Sequence, residues 1–164
     1  TTLAGAFARA GYPCLSEDVL ELRQSAQGYL VQPQRPLLRL FHDSASWLLG
    51  RPPGWAEGDK GELAADAQLP FAGEPAPLRA ICILGPGTAS EPVVTRLGEA
   101  EALAQLIGHA FVLDVEDRQR LRAHFGRLAT LAGKVPVHAL DYPRRFAQLP
   151  KVVTAVIDGL RQGG

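Results

Sequence analysis

The sequence predicts an α/β fold made of short strands and amphipathic helices. Short apolar runs bounded by turn residues occur between residues 12 and 140, and such runs are typical of β-strands. After residue 99, apolar residues recur at helical spacing, which predicts helices with one buried face. A pair of threonines, Thr1 and Thr2, stands directly before the first helical run and is the first feature with chemical content.

The first half of the chain is predicted to consist mainly of strands. A helix is expected near residues 2–10, and strands are expected near 12–15, 18–23 and 28–32, over 37–41, around Leu63 and near 69–71. The turn over residues 24–28 has the composition of a hairpin. Asp43 or Ser44 is expected to cap a second helix, which ends before Gly50. Residues 50–78 are rich in Pro and Gly, so they predict either a mobile loop over a site or an irregular connection.

The second half is predicted to contain more helix. Strands are expected over residues 78–84, 93–97 and 135–140, and helices are expected over 99–110, 115–132 and 150–161. Pro136 removes a donor from the hydrogen-bond ladder, so the strand that contains it is expected at the edge of a sheet. Pro150 is favourable at the start of the last helix.

Thr1 and Thr2 fit the last positions of a phosphate-binding loop. In such loops the pattern G-x-x-x-x-G-K-S/T runs directly into a helix, and Thr1 would be the residue after the lysine. Its hydroxyl would then ligate the Mg²⁺ of a bound nucleotide. Neither the glycines nor the lysine stand before Thr1, so we expect a domain that lacks its N-terminal strand and most of the phosphate loop. The alternative is that the threonines only cap the helix.

Glu17 and Asp18 form a carboxylate pair at the start of a predicted strand. In an open α/β sheet, ligands bind at the edge where strands end. Adjacent residues on an extended chain point to opposite sides, so the two carboxylates would divide the work. One could act as a general base on an attacking hydroxyl, and the other could hold Mg²⁺ directly or through water. A solvated acidic turn is the alternative.

These residues resemble the segment from the end of the phosphate loop to the paired aspartates in HPr kinase/phosphorylase and its relatives. Further segments are similar to shorter HPr kinase-like proteins, including those linked to lasso-peptide biosynthesis. The segments that carry the resemblance are TTLA at residues 1–4, SEDVL at 16–20, VQP at 31–33, RLFHDS at 39–44, PLRAICIL at 77–84, LDYPR at 140–144 and LP at 149–150.

The resemblance implies a single P-loop kinase domain over residues 1–164, with a fold like the nucleotide-binding part of PEP carboxykinase. It implies that ATP and Mg²⁺ are used to phosphorylate a serine on a peptide or protein substrate. Thr1 matches the Mg²⁺-ligating hydroxyl, and Thr2 would help to hold the nucleotide. Glu17 matches the acidic residue that acts as base, and Asp18 matches the one near the metal. The family usually has Asp where this chain has Glu17, a departure that concerns the rate more than the role.

Arg39 and Lys60 are candidates for binding phosphate or substrate, because phosphoryl transfer places negative charge on the transferred oxygens. Each could also be a surface cation whose stem packs on apolar neighbours. The relatives usually have Arg after the residue that matches Lys60, whereas Gly61 follows it here. This departure and Glu17 leave open a catalytically inactive nucleotide-sensing or partner-binding module. A small-molecule kinase that shares the P-loop is also left open.

Composition and charge limit the classes of binding partner and the cellular compartment that we expect. The chain of 164 residues is 46% hydrophobic and 21% charged, as is ordinary for globular proteins. Its 17 basic residues balance 17 acidic ones, so no broad positive field attracts nucleic acid. No apolar run approaches the roughly 18 residues of a transmembrane helix, and no signal peptide is found. We therefore expect a cytoplasmic protein that binds neither nucleic acid nor membrane and is compatible with a homo-oligomer. Cys14 and Cys82 are expected to be buried thiols.

Overall fold

The computed structural model describes residues 1–111 and 117–162. It contains both helices and β-sheets, so the α/β class is confirmed. Contacts divide the chain into two compact units, of which the first comprises Thr1–Leu78 and Arg144–Ile157. The second comprises Arg79–Pro143 and the chain from Asp158. The single kinase-like domain over residues 1–164 stays a prediction.

The first unit contains two short helices, five short strands and the start of the last helix. Its elements are α1 (Thr2–Arg9), β1 (Leu22–Ser25), β2 (Gly28–Val31), β3 (Leu37–Phe41), α2 (His42–Leu49), β4 (Lys60–Ala64), β5 (Ala76–Pro77), a 3₁₀ turn (Phe146–Gln148) and the first part of α5 (Leu149–Gln162). β1 and β2 are antiparallel, with Ser25 opposite Gly28, which confirms the predicted hairpin. β5 pairs with the other edge of β2, and β3 and β4 form a separate antiparallel sheet.

The core of the first unit is built on one face of β3. Leu38 and Leu40 are 0% and 1% exposed, whereas Arg39 and Phe41 are exposed, because side chains alternate along a strand. The two leucines form a cluster with buried residues of α1, α2 and the loop that follows β4, namely Ala8, Ala45, Leu48 and Leu69. The face of β3 opposite to this core is therefore available to solvent.

The helices α1 and α2 pack against each other along their length. Near their first turns, the Thr2 hydroxyl donates to Ser44 Oγ over 2.9 Å. In the middle, a Cβ built on Gly5 would lie 2.5 Å from Cδ1 of Leu48, so only glycine allows this approach. Near their last turns, Arg9 Nη1 donates to the carbonyl oxygen of Trp47 over 2.8 Å. These contacts show that the two helices run in the same direction and begin side by side.

The second unit contains one three-stranded sheet and two helices. Its elements are β6 (Ile81–Leu84), β7 (Val93–Arg96), α3 (Glu99–His109), α4 (Arg118–Lys134), β8 (Val137–Asp141) and the end of α5. The strand order is β6-β8-β7, with β8 parallel to β6 and antiparallel to β7. His138 lies opposite Cys82 on one side and Arg96 on the other. No helix within the described ranges is both long enough and apolar enough to cross a bilayer.

Several sequence-based predictions about the elements are wrong. The strands expected near 12–15 and 69–71 are only a single isolated bridge between Cys14 and Phe71. The strand near residue 135 is the central strand of its sheet rather than an edge strand, because Pro136 precedes its first residue and contributes a carbonyl acceptor to Ile81. The strand expected over residues 18–23 begins only at Leu22. The N-cap of α2 is Phe41, because the helix begins at the first residue after β3 and Asp43 already lies in its first turn.

Candidate functional site

The candidate site is built around the first turn of α1. Thr1 is the N-cap residue of this helix, but its side chain makes no capping hydrogen bond to the backbone. Instead, its hydroxyl donates to Glu17 Oε1 over 3.2 Å. The structure therefore brings together two of the sequence-predicted site residues that are 16 positions apart, and the Thr1 hydroxyl does not act as a simple cap.

Glu17 and Asp18 lie in an irregular loop rather than on a strand. The loop is shaped by its own polar groups, since Cys14 Sγ donates to the carbonyl oxygen of Ser16 and Ser16 Oγ donates to that of Val19. Glu17 is half-buried, whereas Asp18 is exposed. Among the described residues, Glu17 accepts the hydrogen bond from the Thr1 hydroxyl, whereas Asp18 was the residue expected near the metal. The expectation of a carboxylate pair at a strand end is wrong, and the assignment of Asp18 to the metal stays a prediction.

A second polar link joins α1 to the first turn of α2. The Thr2 hydroxyl donates to Ser44 Oγ, and Ser44 Oγ in turn donates to Asp43 Oδ1 over 3.3 Å. The backbone N–H of Ser44 also donates to Asp43 Oδ1, over 2.6 Å. Ser44 is only 6% exposed, while Asp43 is exposed. From the sequence, both residues were expected to cap the helix. The sequence shows an acidic residue before a serine, but only the structure shows that this serine is buried.

The helix dipoles make this end of the two helices electrostatically positive. The N-terminus of a helix carries about half a positive elementary charge, and here two such termini lie side by side. Two carboxylates place negative charge at these termini. Glu17 accepts from the Thr1 hydroxyl at the start of α1, and Asp43 accepts from the backbone N–H of Ser44 at the start of α2. The two carboxylates already outweigh the dipole charge of these termini, so a phosphate group would be favoured here only together with a cation.

Arg39 and Lys60 lie on one exposed face of the β3–β4 sheet. Arg39 is opposite Glu62, and Lys60 is opposite Phe41, so the two cations are diagonal neighbours. Lys60 Nζ lies 4.8 Å from the ring centroid of Phe41, which is 50% exposed. Lys60 and Phe41 are at the end of this sheet from which α2 begins. The structure therefore groups both predicted cations on one surface near the start of α2.

The glycine after Lys60 has a clear structural reason. A Cβ atom on Gly61 would overlap the indole ring of Trp55, which packs against the core of the first unit. An arginine at this position, as is usual in the HPr kinase-like proteins that the sequence resembles, would require the indole to move. This departure from the family pattern is therefore tied to the packing of Trp55.

The oxygen atoms at the site suit a hard cation. Hydroxyl and carboxylate oxygens are ligand types that Mg²⁺ accepts, and here the Thr1 and Glu17 oxygens are joined by a hydrogen bond of 3.2 Å. Across the described ranges, no group of three or more His, Cys, Asp or Glu side chains is placed to hold a metal ion. The described side chains therefore do not by themselves form a metal site, and a metal ligated by Thr1 stays a prediction.

Two other features lie away from this site. A cavity of about 240 Å³ lies at the opposite end of α1 and is lined by Arg9, Gly11 and Leu48, among other residues. In the second unit, Asp141 accepts hydrogen bonds from the backbone N–H groups of Gly87, Thr88 and Ala89 and from the Thr88 hydroxyl. Burial opposes the ionisation of Asp141, but these hydrogen bonds outweigh it and lower its pKa.

The cysteines and the buried histidine show no sign of activation. Burial raises the pKa of both thiols, Cys14 and Cys82, so they stay protonated at neutral pH. Both are free and half-buried, close to the expectation of buried thiols. Burial and the nearby charge of Arg96 lower the pKa of His138, which is 5% exposed.

Comparison with protein-family models, with curated proteins and with solved structures finds no match to this chain. The resemblance to HPr kinase-like proteins therefore rests on the sequence segments alone and stays a prediction.

Proposed function

We propose that this chain provides the nucleotide- and metal-binding part of an ATP- and Mg²⁺-dependent serine kinase with a P-loop fold, similar to HPr kinase. The observation that carries the proposal is the hydrogen bond from Thr1 to Glu17 at the uncapped start of α1. It joins the hydroxyl expected to ligate the metal to the carboxylate expected to act on the acceptor.

In this proposal, Thr1 and Glu17 flank the transferred phosphoryl group. Glu17 orients the hydroxyl of the acceptor serine and takes its proton while the serine oxygen bonds to the γ-phosphorus and the bond to ADP breaks. The first turn of α1 favours the phosphates through its free N–H groups and its dipole. When bound, Mg²⁺ neutralises charge on the phosphate oxygens. Arg39 and Lys60 attract the anionic groups of nucleotide or substrate from the exposed face of β3 and β4.

One observation favours a second candidate, a nucleotide-sensing or partner-binding module without catalysis. Gly61 cannot carry the arginine of the relatives while Trp55 stays in place, so one expected cation is missing. Glu17 also replaces the usual Asp. Both changes are expected in a protein that has kept nucleotide binding and lost phosphoryl transfer.

The test compares two glutamate variants of the protein expressed from its complete gene. Glu17→Gln keeps an oxygen that accepts from Thr1 but removes the basic carboxylate. It should lower phosphoryl transfer from ATP by about 10²-fold or more while nucleotide affinity changes little. Glu21→Gln is the matched control, because Glu21 forms only an exposed pair with Arg23. Nucleotide binding is measured by calorimetry, and transfer is measured with radiolabelled ATP and a serine-containing peptide.

Each result separates the candidates. Transfer that is lost in Glu17→Gln and kept in Glu21→Gln supports the kinase. Nucleotide binding without transfer in the unchanged protein supports the sensing module. Transfer to a small hydroxyl compound and not to a peptide supports the small-molecule kinase. A protein that binds no nucleotide refutes all three, and reading the gene upstream of Thr1 for G-x-x-x-x-G-K is an independent check.

A further inference from the structure

The buried hydroxyl of Ser44 links the first turns of α1 and α2. We propose that Ser44, supported by Asp43, is a positioning residue that fixes the first turn of α1, and with it the Thr1 hydroxyl, in the geometry needed to bind a nucleotide. The part of this inference that concerns nucleotide rests on the proposed function. The part that concerns the helix does not.

Ser44 is only 6% exposed. A hydroxyl buried without hydrogen bonds costs free energy. The Ser44 hydroxyl instead accepts from Thr2 and donates to Asp43. The Ser44 hydroxyl therefore uses its hydrogen bonds to connect α2 to α1.

The hydrogen bonds of Ser44 also have a defined direction. An ionised carboxylate only accepts, so Asp43 accepts a hydrogen bond from the Ser44 hydroxyl, and the Ser44 oxygen accepts from Thr2. The Thr2 proton is therefore committed to Ser44, and the Thr1 proton is committed to Glu17. Both threonine oxygens keep only lone pairs for an incoming group. Thr2 thus serves as an anchor, while Thr1 presents an oxygen suited to a cation.

The link also has a defined position along the helices. Gly5 against Leu48 and Arg9 against Trp47 hold the middle and the last turn of α1, respectively. The Thr2–Ser44 bond holds the first turn, one residue from Thr1. Binding sites need their contacting groups fixed within about 0.5 Å, and the two other contacts are too far along the helix to fix Thr1. Glu17 contacts the Thr1 hydroxyl itself, and Ser44 is the contact from α2 that holds the helical turn next to Thr1.

The experiment compares Ser44→Ala with Ser46→Ala. Ser46 is the matched control because its hydroxyl donates only to the carbonyl oxygen of His42 in the same helix. The probe is hydrogen exchange at the Gly5 amide, which donates to Thr1 and closes the first turn of α1. Ser44→Ala should speed this exchange by about five- to tenfold, the effect of losing one hydrogen bond, while Ser46→Ala should leave it within twofold. The amide of Ala102, in the first turn of α3, is the internal reference.

A second measurement addresses nucleotide. In the protein expressed from its complete gene, Ser44→Ala should raise the KM for Mg·ATP by about five- to tenfold and leave the pH profile of kcat unchanged, because Glu17 is not altered. Thr2→Ser keeps the hydroxyl and should retain the normal KM, whereas Thr2→Val should reproduce the Ser44→Ala effect.

The outcomes separate this inference from the proposed function. Unchanged Gly5 exchange in Ser44→Ala overturns the positioning role, whatever the activity. Fast Gly5 exchange with an unchanged KM overturns its link to nucleotide. If the unchanged protein transfers no phosphate, the proposed function fails while Gly5 exchange still decides the role of Ser44. If Ser44→Ala does not fold, Asp43→Asn, at an exposed position, should show a smaller increase in the same direction, and its absence also overturns the role.

Discussion

Replacing Gly5 by alanine should destabilise the first unit even though alanine favours helices. In the interior of a helix, alanine is better than glycine by about 1 kcal/mol. At Gly5, however, the new methyl group would lie 2.5 Å from Cδ1 and 3.2 Å from Cδ2 of Leu48, and 3.3 Å from Cδ1 of Leu38. Leu38 is 0% exposed and has no open space beside it, and Leu48, which is 4% exposed, can move only toward the cavity that it lines at the end of α1.

Overpacking of a filled core costs about 1–3 kcal/mol, which exceeds the gain in helix propensity. With the helix-propensity gain subtracted, we expect Gly5→Ala to lower the free energy of unfolding by up to about 2 kcal/mol. Gly126→Ala is the matched control, because a Cβ at this exposed position in α4 meets no atom within 4 Å. It should stabilise the protein by about 0.5–1 kcal/mol.

Denaturant unfolding measures both variants. Trp47 and Trp55 both lie in the first unit, so tryptophan fluorescence reports on the unit that contains Gly5, while circular dichroism follows the helices of both units. A Gly5→Ala protein at least as stable as the unchanged chain would refute the reasoning, because it would show that Leu48 is free to move away. A Gly126→Ala protein that loses stability would refute the helix-propensity estimate.

Two predictions concern pH and the second unit. Because the pKa of His138 is lowered by burial and by Arg96, the folded protein binds a proton there less readily than the unfolded chain. The contribution of His138 to the free energy of unfolding should be fully present above the ordinary imidazole pKa of about 6.5 and should fall as the pH drops below it. NMR titration checks this, and a His138 pKa at or above the ordinary imidazole value would contradict it. Because the pKa of Asp141 is lowered, its contribution to the free energy of unfolding should be present at pH values above the ordinary carboxyl pKa. This contribution should be lost as the pH falls through the pKa of Asp141 in the folded protein. Asp141→Asn should speed hydrogen exchange at the amides of Gly87 and Ala89, which donate to this carboxylate. Asp158→Asn is the control, because Asp158 lies in an exposed ion pair, and it should leave this exchange unchanged. Equal exchange in the two variants would show that Asp141 does not hold this loop.

Local sequence signals predicted several elements well. The amphipathic runs placed α3 and α5 close to their observed bounds, since helical spacing is a local property of the chain. The turn before Gly28 predicted the hairpin because glycine supplies the positive φ of 125° found there. The apolar run from Leu37 to Phe41 predicted a strand, and the structure shows that it buries one face.

The candidate site was predicted only in part. Thr1 and Glu17 could be named from the sequence because their residue types carry the chemistry, but their contact depends on a loop whose course no local pattern gives. Ser44 and Asp43 were expected to cap a helix, because a serine next to an acidic residue has that meaning locally. The central place of β8 was also missed, since the neighbours of a strand are chosen by distant segments.

The sequence by itself determined the α/β class, most helices and strands, and the residue types that favour phosphoryl chemistry, because these depend on spacing and side-chain identity within a few residues. Only the tertiary structure decided which of those residues meet. It set Thr1 against Glu17, joined Thr2 to Ser44, and placed Arg39 and Lys60 on one face. The physical reason is that these contacts follow from the packing of α1 on α2 and the pairing of β3 with β4, which bring together segments far apart in the chain.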